Sequence, residues 1–232
     1  MARIAEDLFL LLLDNATAQP GLDSPRREHV LAAASLLDLA LGCRVRPAVD
    51  GEAVPTGRGG EAVSAGRLLV LAAPGPVDPL DAPALALLQS RPLSPRTAIK
   101  KLSTDIQTRL TDHLVQTGQI RRTVQSSRLF SKTYAYPLTS RDRVGPARTA
   151  VMAALFDRTP PAAPTAAIIT VLHAVDGLGA LLSLNDRGWR WVHARAGEIA
   201  AGSWVDESPT GVPEVNLAVT AAAVRQALAQ LT

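Results

Sequence analysis

The run Leu8-Phe9-Leu10-Leu11-Leu12-Leu13 leaves this chain few ways to fold. Within Ala2 to Asp14, residues Ala5, Leu8, Phe9, Leu12 and Leu13 recur at helical spacing, and Leu10 and Leu11 fill the opposite side. A helix that is apolar all round has no face to offer water, so its place is the centre of a core. It is not a membrane span, because the run is six residues long and a crossing helix needs about 20. Glu6 and Asp7 directly before the leucines also break the order of a signal peptide. A chain of 232 residues can enclose such a helix. It must do so with further elements that each carry an apolar stripe.

Those stripes can be read along the chain. Ser24-Pro25 opens a helix, with serine as the cap and proline at the first helical position, where an N–H is not needed. Val30, Ala33, Ala34, Leu37 and Leu41 form its inner face, and Gly42 stops it. Cys43 to Val49, then Asp50-Gly51, then Glu52 to Pro55 predict a hairpin turning on Asp-Gly. Gly66 to Ala72 reads as a short strand and Leu80 to Gln89 as a weaker helix. Ser94-Pro95 repeats the start signal, and Ile99, Leu102, Ile106, Leu110 and Leu114 share one side, with Ser103-Thr104-Asp105 splitting the stretch in two. After Gly118 comes a basic hairpin, and helices follow at Pro146 to Asp157, Thr165 to Asp176, Asp186 to Ala200 and Asn216 to Leu231. The expected fold is mainly α: a single helical-core domain over residues 1–232 with protruding β-hairpins, one of them basic.

Motifs for catalysis are missing. The sequence has no GxxxxGK[ST] cradle, no GxSxG elbow, no HExxH and no paired cysteines. We therefore expect no enzyme, no cofactor and no metal site. Cys43 alone excludes an intrachain disulfide and fits a reducing cytoplasm. His173, three residues before Asp176, invites a base–carboxylate reading. A hydrogen-bonded structural histidine is the favoured expectation, because buried polar groups need partners. Trp189, Trp191 and Trp204 could stack on a base or anchor at a bilayer, but Trp189 and Trp191 point to different faces of a helix, so at least one of these two should be core.

Charge is the stronger functional signal. Residues 91–150 hold 12 Lys or Arg against Asp105, Asp112 and Asp142, a net +9 in a chain of net +3. A polarisation this large points to an anionic partner. Two partners fit the stretch from His113 to Ser140. As a winged-helix DNA-binding regulator, the chain would use Arg109 on bases and Arg121, Arg122, Arg128 and Lys132 on phosphates. As a peripheral membrane protein, it would turn the same basic hairpin toward anionic lipid.

Four pieces in order separate these readings: IAEDLFLLLLDN, LLDLALGCRV, RLTDHLVQTGQI running into RLFSKTYAYPLTS, and LHAVDGL. Together, from Ile4 to about Leu228, they resemble the Golgi phosphoprotein 3 family, here in the form of a compact bacterial relative. The resemblance implies a helical core with a projecting hairpin. It also implies a non-catalytic peripheral protein on the cytoplasmic face of a membrane, binding phosphatidylinositol 4-phosphate and holding membrane-protein clients. The family's binding residues do not transfer, because their places hold Asp23, Ala32, Thr104 and Gln107, with the neighbouring Arg109 kept. The expected headgroup donors are therefore Arg109, Lys100, Lys101, Arg121, Arg122, Arg26 and Arg27. Arg128, Leu129, Phe130, Lys132, Tyr134 and Tyr136 would dip among lipid headgroups or join a second copy of the chain. An anionic phospholipid surface is thus preferred as partner, and nucleic acid is disfavoured.

Overall fold

The computed structural model describes residues 3–56, 59–128, 131–207 and 210–231. Among them are ten α-helices: α1 (Ile4–Leu12), α2 (Ser24–Leu41), α3 (Ala82–Ser90), α4 (Pro95–Leu102), α5 (Ile106–Gln116), α6 (Val144–Phe156), α7 (Ala163–Ala174), α8 (Asp186–Ala200), α9 (Trp204–Glu207) and α10 (Val212–Ala229). Six short strands pair antiparallel two by two: β1 (Val45–Pro47) with β4 (Leu68–Val70), β2 (Ala53–Thr56) with β3 (Gly59–Ala62), and β5 (Thr123–Arg128) with β6 (Ser131–Ala135). The fold is mainly helical, as expected.

Every residue of α1 is buried, including Glu6 and Asp7. The helix packs against α2, α5, α6 and α7. Each enclosed leucine stabilises the fold by about 1.5–3 kcal/mol. One apolar cluster continues from α1 through the other helices as far as Leu228 in α10. The buried acids are balanced locally. Arg143 donates to Asp7 at 2.6 Å and pairs with Glu6, which also meets Arg3 at 3.0 Å and His113 at 3.3 Å. Such matching is what makes buried carboxylates tolerable.

Arg3 precedes α1 without capping it. The first free N–H groups are met from α2 instead, where the Asp38 carboxylate accepts from Ile4 at 2.8 Å and from Ala5 at 3.0 Å. Helix α2 itself is capped by Asp23, which accepts from the Arg26 N–H at 3.2 Å, and not by Ser24 as expected. Ser24 donates instead to Glu28.

The hairpin expected around Asp50-Gly51 is corrected. Chain segments 44–56 and 59–71 form one long antiparallel ribbon, with β1–β4 as its inner and β2–β3 as its outer part in the same register. Ala48 N–H to the Arg67 carbonyl (2.7 Å) and Val63 N–H to the Glu52 carbonyl (2.8 Å) continue the ladder between them. Gly51, at φ 76°, makes a break in one arm, and the Glu52 carboxylate accepts from Val49 N–H there. Thr56 stands opposite Gly59, and residues 57 and 58 lie outside the described residues.

The basic hairpin is present, with Thr123 opposite Ala135 and Arg128 opposite Ser131. Its foot is fastened to the core. Tyr136 is buried with its ring edge-on to Phe9, centroids 6.0 Å apart, and its N–H donates to the Ala18 carbonyl at 2.7 Å.

Candidate functional site

The N-terminal turns of α2 and α5 form the place where the resemblance puts a headgroup. Ala32 is fully buried in α2, Asp23 is engaged as the cap, and Thr104 is exposed. Arg27 reaches across, donating through Nε to Gln107 Oε1 at 2.7 Å and through Nη1 to the Leu22 carbonyl. Burial pulls its pKa down from the usual arginine value. Arg26 pairs with Asp23 and approaches the Val175 carbonyl at 3.4 Å. Both arginines are thus spent on protein partners, and the Arg27–Gln107 bond ties the two helices across the family's binding place.

Arg109 is different. Its Nη2 donates to Asp105 at 3.0 Å, one turn earlier on α5, but Nε and Nη1 are buried with no hydrogen-bond partner. The side chain lines a cleft of about 250 Å³ with Pro79, Leu80, Asp112, His113 and Gln116. Buried donors of this kind call for an acceptor from outside the chain.

The remaining expected cations fall into two groups. Arg122 pairs with Asp112, touches Thr111 Oγ1 at 3.3 Å and lies 5.6 Å over the Tyr134 ring, a cation–π contact. Its partner carboxylate raises its pKa further. Lys100, Lys101 and Arg121 are exposed and make no ion pair among the described residues. Lys100 stands one turn from Arg96 on the outer side of α4, whose inner side is Pro95, Ala98, Ile99 and Leu102. Arg91 and Arg141 are likewise exposed and unpaired among the described residues. The acids at 105 and 112 are consumed internally and Asp142 is exposed, so the outward-facing charge of this segment is predominantly cationic.

The hairpin residues divide. Tyr134 is 37% exposed and keeps its place on the surface, whereas Tyr136 is 8% exposed. The expectation that Tyr136 faces a membrane or a second copy is corrected, because its ring fills the space beside Phe9. Leu129 and Phe130 lie outside the described residues, as do the side chains of Arg128 and Lys132.

Other expectations are also revised. Asp176 approaches His193 Nε2 at 3.9 Å, not His173, and His173 Nδ1 is buried without a hydrogen-bond partner. The expectation that Trp189 or Trp191 is core is corrected: Trp189 is half-buried against the core, Trp191 is 40% exposed and stacks on Phe156, and the buried tryptophan is Trp204. What the sequence did not disclose is the acidic cluster of Glu6, Asp7, Asp38, Asp78 and Asp81 around Arg3 and Arg143. Burial, reinforced by the Asp81 charge, pushes Asp38 up to about 7 despite its two N–H bonds. No group of metal-ligating side chains occurs among the described residues, and no described helix is long and apolar enough to cross a membrane.

A search of curated proteins found no match. A family model described as Golgi phosphoprotein 3 (GPP34) matches residues 4–230, nearly the whole chain, including the α1 and α2 segments joined through Asp38. The chain belongs to the Golgi phosphoprotein 3 family.

Proposed function

We propose that this chain is a non-enzymatic peripheral membrane protein that binds anionic phospholipid headgroups. The observation that carries this reading is the pairing pattern of residues 91–150. Asp105 and Asp112 are taken up by Arg109 and Arg122, and Arg91, Arg96, Lys100, Lys101, Arg121 and Arg141 remain exposed. Each cation near an anionic membrane contributes about 1 kcal/mol. Arg109 supplies two unmatched N–H donors in a cleft, the charge-assisted donors a phosphate group takes. Specificity for phosphatidylinositol 4-phosphate is weak in this reading, because Arg27 and Gln107 bind each other where the family's pocket lies. Membrane-protein clients are implied by the family resemblance alone.

The DNA-binding reading loses ground on α5. A helix laid in a groove would present Asp105 and Asp112, each beside the arginine meant for the nucleic acid. Flotation with vesicles of neutral lipid, or of neutral lipid mixed with phosphatidylglycerol, tests the proposal when run beside a duplex-DNA shift at matched salt. Binding only to anionic vesicles supports it. Equal binding to both vesicles, or binding to DNA alone, overturns it.

A further inference from the structure

A second group of unsatisfied donors lies away from Arg109, where the C-terminal end of α7 meets α8 and α10. His173, in the last turn of α7, has Nδ1 buried and without a partner, and Arg225 of α10 has Nε in the same condition. Arg225 makes no ion pair among the described residues. The His193 ring of α8 stands 5.7 Å from His173, and the Trp189 ring lies 5.4 Å from His193 on its other side. From α2, Arg26 reaches the Val175 carbonyl at the edge of the niche. Against these cationic or protonatable groups stands Asp176, held at φ 53°, 3.9 Å from His193 and with its side chain 85% exposed. A carboxylate so exposed neutralises little. Burial, followed by the nearby His193 and Arg225, holds His173 below its usual pKa. The niche thus carries an excess of donors and positive charge that the protein itself does not match.

We propose that this niche is a binding site for a small oxyanion of the phosphate-monoester class, held by His173, His193 and Arg225. Three donors arrive from three different helices, which suits the three terminal oxygens of a monoester better than the two oxygens of a flat carboxylate. The half-exposed His193 edge is open to the ligand, and Trp189 backs that ring. A bound phosphate supplies the counter-charge that His173 lacks, so binding raises the His173 pKa and favours its protonated, donor form. The charged groups facing the pair are Asp176 after α7 and Arg225 on α10, while Arg26 on α2, at the edge, is matched by Asp23. Asp176 opposes anion binding and Arg225 favours it. This site does not depend on the membrane reading, since neither Arg109 nor the α4 lysines belong to it.

The test is a phosphate titration of the full chain at pH 6.5, followed through the four histidine ring resonances by NMR. Inorganic phosphate should move the His173 and His193 signals and leave His29 and His113 in place. Arg225→Gln should weaken the effect by about tenfold or more, the loss of one charge-assisted hydrogen bond. Vesicles then identify the source, comparing phosphatidic acid, which exposes a monoester, with phosphatidylglycerol at equal charge. A preference for phosphatidic acid that Arg225→Gln abolishes makes the ligand a lipid headgroup. Vesicle binding untouched by Arg225→Gln, beside a lost phosphate response, makes it a soluble monoester. Still histidine signals in the unmodified chain up to millimolar phosphate, equal movement of all four, or full binding by a folded Arg225→Gln variant overturns the site. The first titration needs no membrane, so this failure is read separately from a failure of vesicle binding.

Discussion

The Asp38 carboxylate takes the Ile4 N–H at 2.8 Å, so a side chain late in α2 starts the helix at the centre of the core. A local cap would hold only its own turn. This one fixes the two helices end to end, and it puts an acid among packed helices beside Asp81.

A pH dependence follows from that position. Asp38 titrates near 7 in the folded chain and at about 3.9 when unfolded. Between these values the unfolded chain has released a proton that the folded chain still holds. Rising pH therefore lowers stability across roughly pH 4 to 7, and the Asp38 contribution is flat above that. Asp38→Asn keeps one acceptor for the helix start and removes the titration. The difference in unfolding free energy between variant and parent should therefore shift in the variant's favour as pH rises from 5 to 7. Parallel urea-midpoint curves for the two proteins over that range would contradict the assignment.

Membrane affinity should follow the unpaired cations. Replacing Lys100, Lys101 and Arg121 together by Gln removes up to about 3 kcal/mol of attraction, on the order of a hundredfold in partitioning at low salt. The loss should shrink as salt rises. Arg122→Gln, whose charge is already held by Asp112, should cost less than Arg121→Gln in the same flotation assay.

The two hairpin tyrosines should behave oppositely. Tyr136→Ser empties a buried ring site beside Phe9 and should destabilise the chain by about 3 kcal/mol. Tyr134→Ser, at an exposed position, should leave the thermal midpoint nearly unchanged while weakening vesicle binding. Calorimetry beside flotation separates the two effects.

Headgroup selectivity should be slight. At equal surface charge, phosphatidylinositol 4-phosphate should compete no more than a few-fold better than phosphatidylglycerol, because Arg27 is bonded to Gln107. Arg109→Gln should weaken binding to both lipids alike by about tenfold, the loss of a charge-assisted donor. A strong preference for the inositide would show that the α2–α5 junction opens.

Local signals were legible in the sequence where local physics decides the outcome. The all-apolar run became the enclosed helix, α8 begins and ends at Asp186 and Ala200 as expected, and Ser94 Oγ accepts from Thr97 N–H at the start of α4. The misses were set by distant partners. Asp-Gly at 50–51 is a strong turn signal, but the strand after it pairs further along the chain, and one register for the whole ribbon prevails over one favourable turn. Asp38 sits 34 residues from Ile4, so nothing near either residue announces the cap. Charge counting found the basic segment but not which cations are spent inside it. Arg27 was a plausible donor by position, and only folding puts Gln107 against it.

The fastening of Tyr136 has a mechanical consequence. With its ring against Phe9 and its N–H on Ala18, the basic hairpin is rooted in the central helix and not hung from a slack stalk. A pull on the paired strands is therefore delivered through Phe9 to α1, and through Asp38 to α2. With the hairpin on a membrane, as proposed, load on it passes into the buried helix α1 and not into a loose stalk.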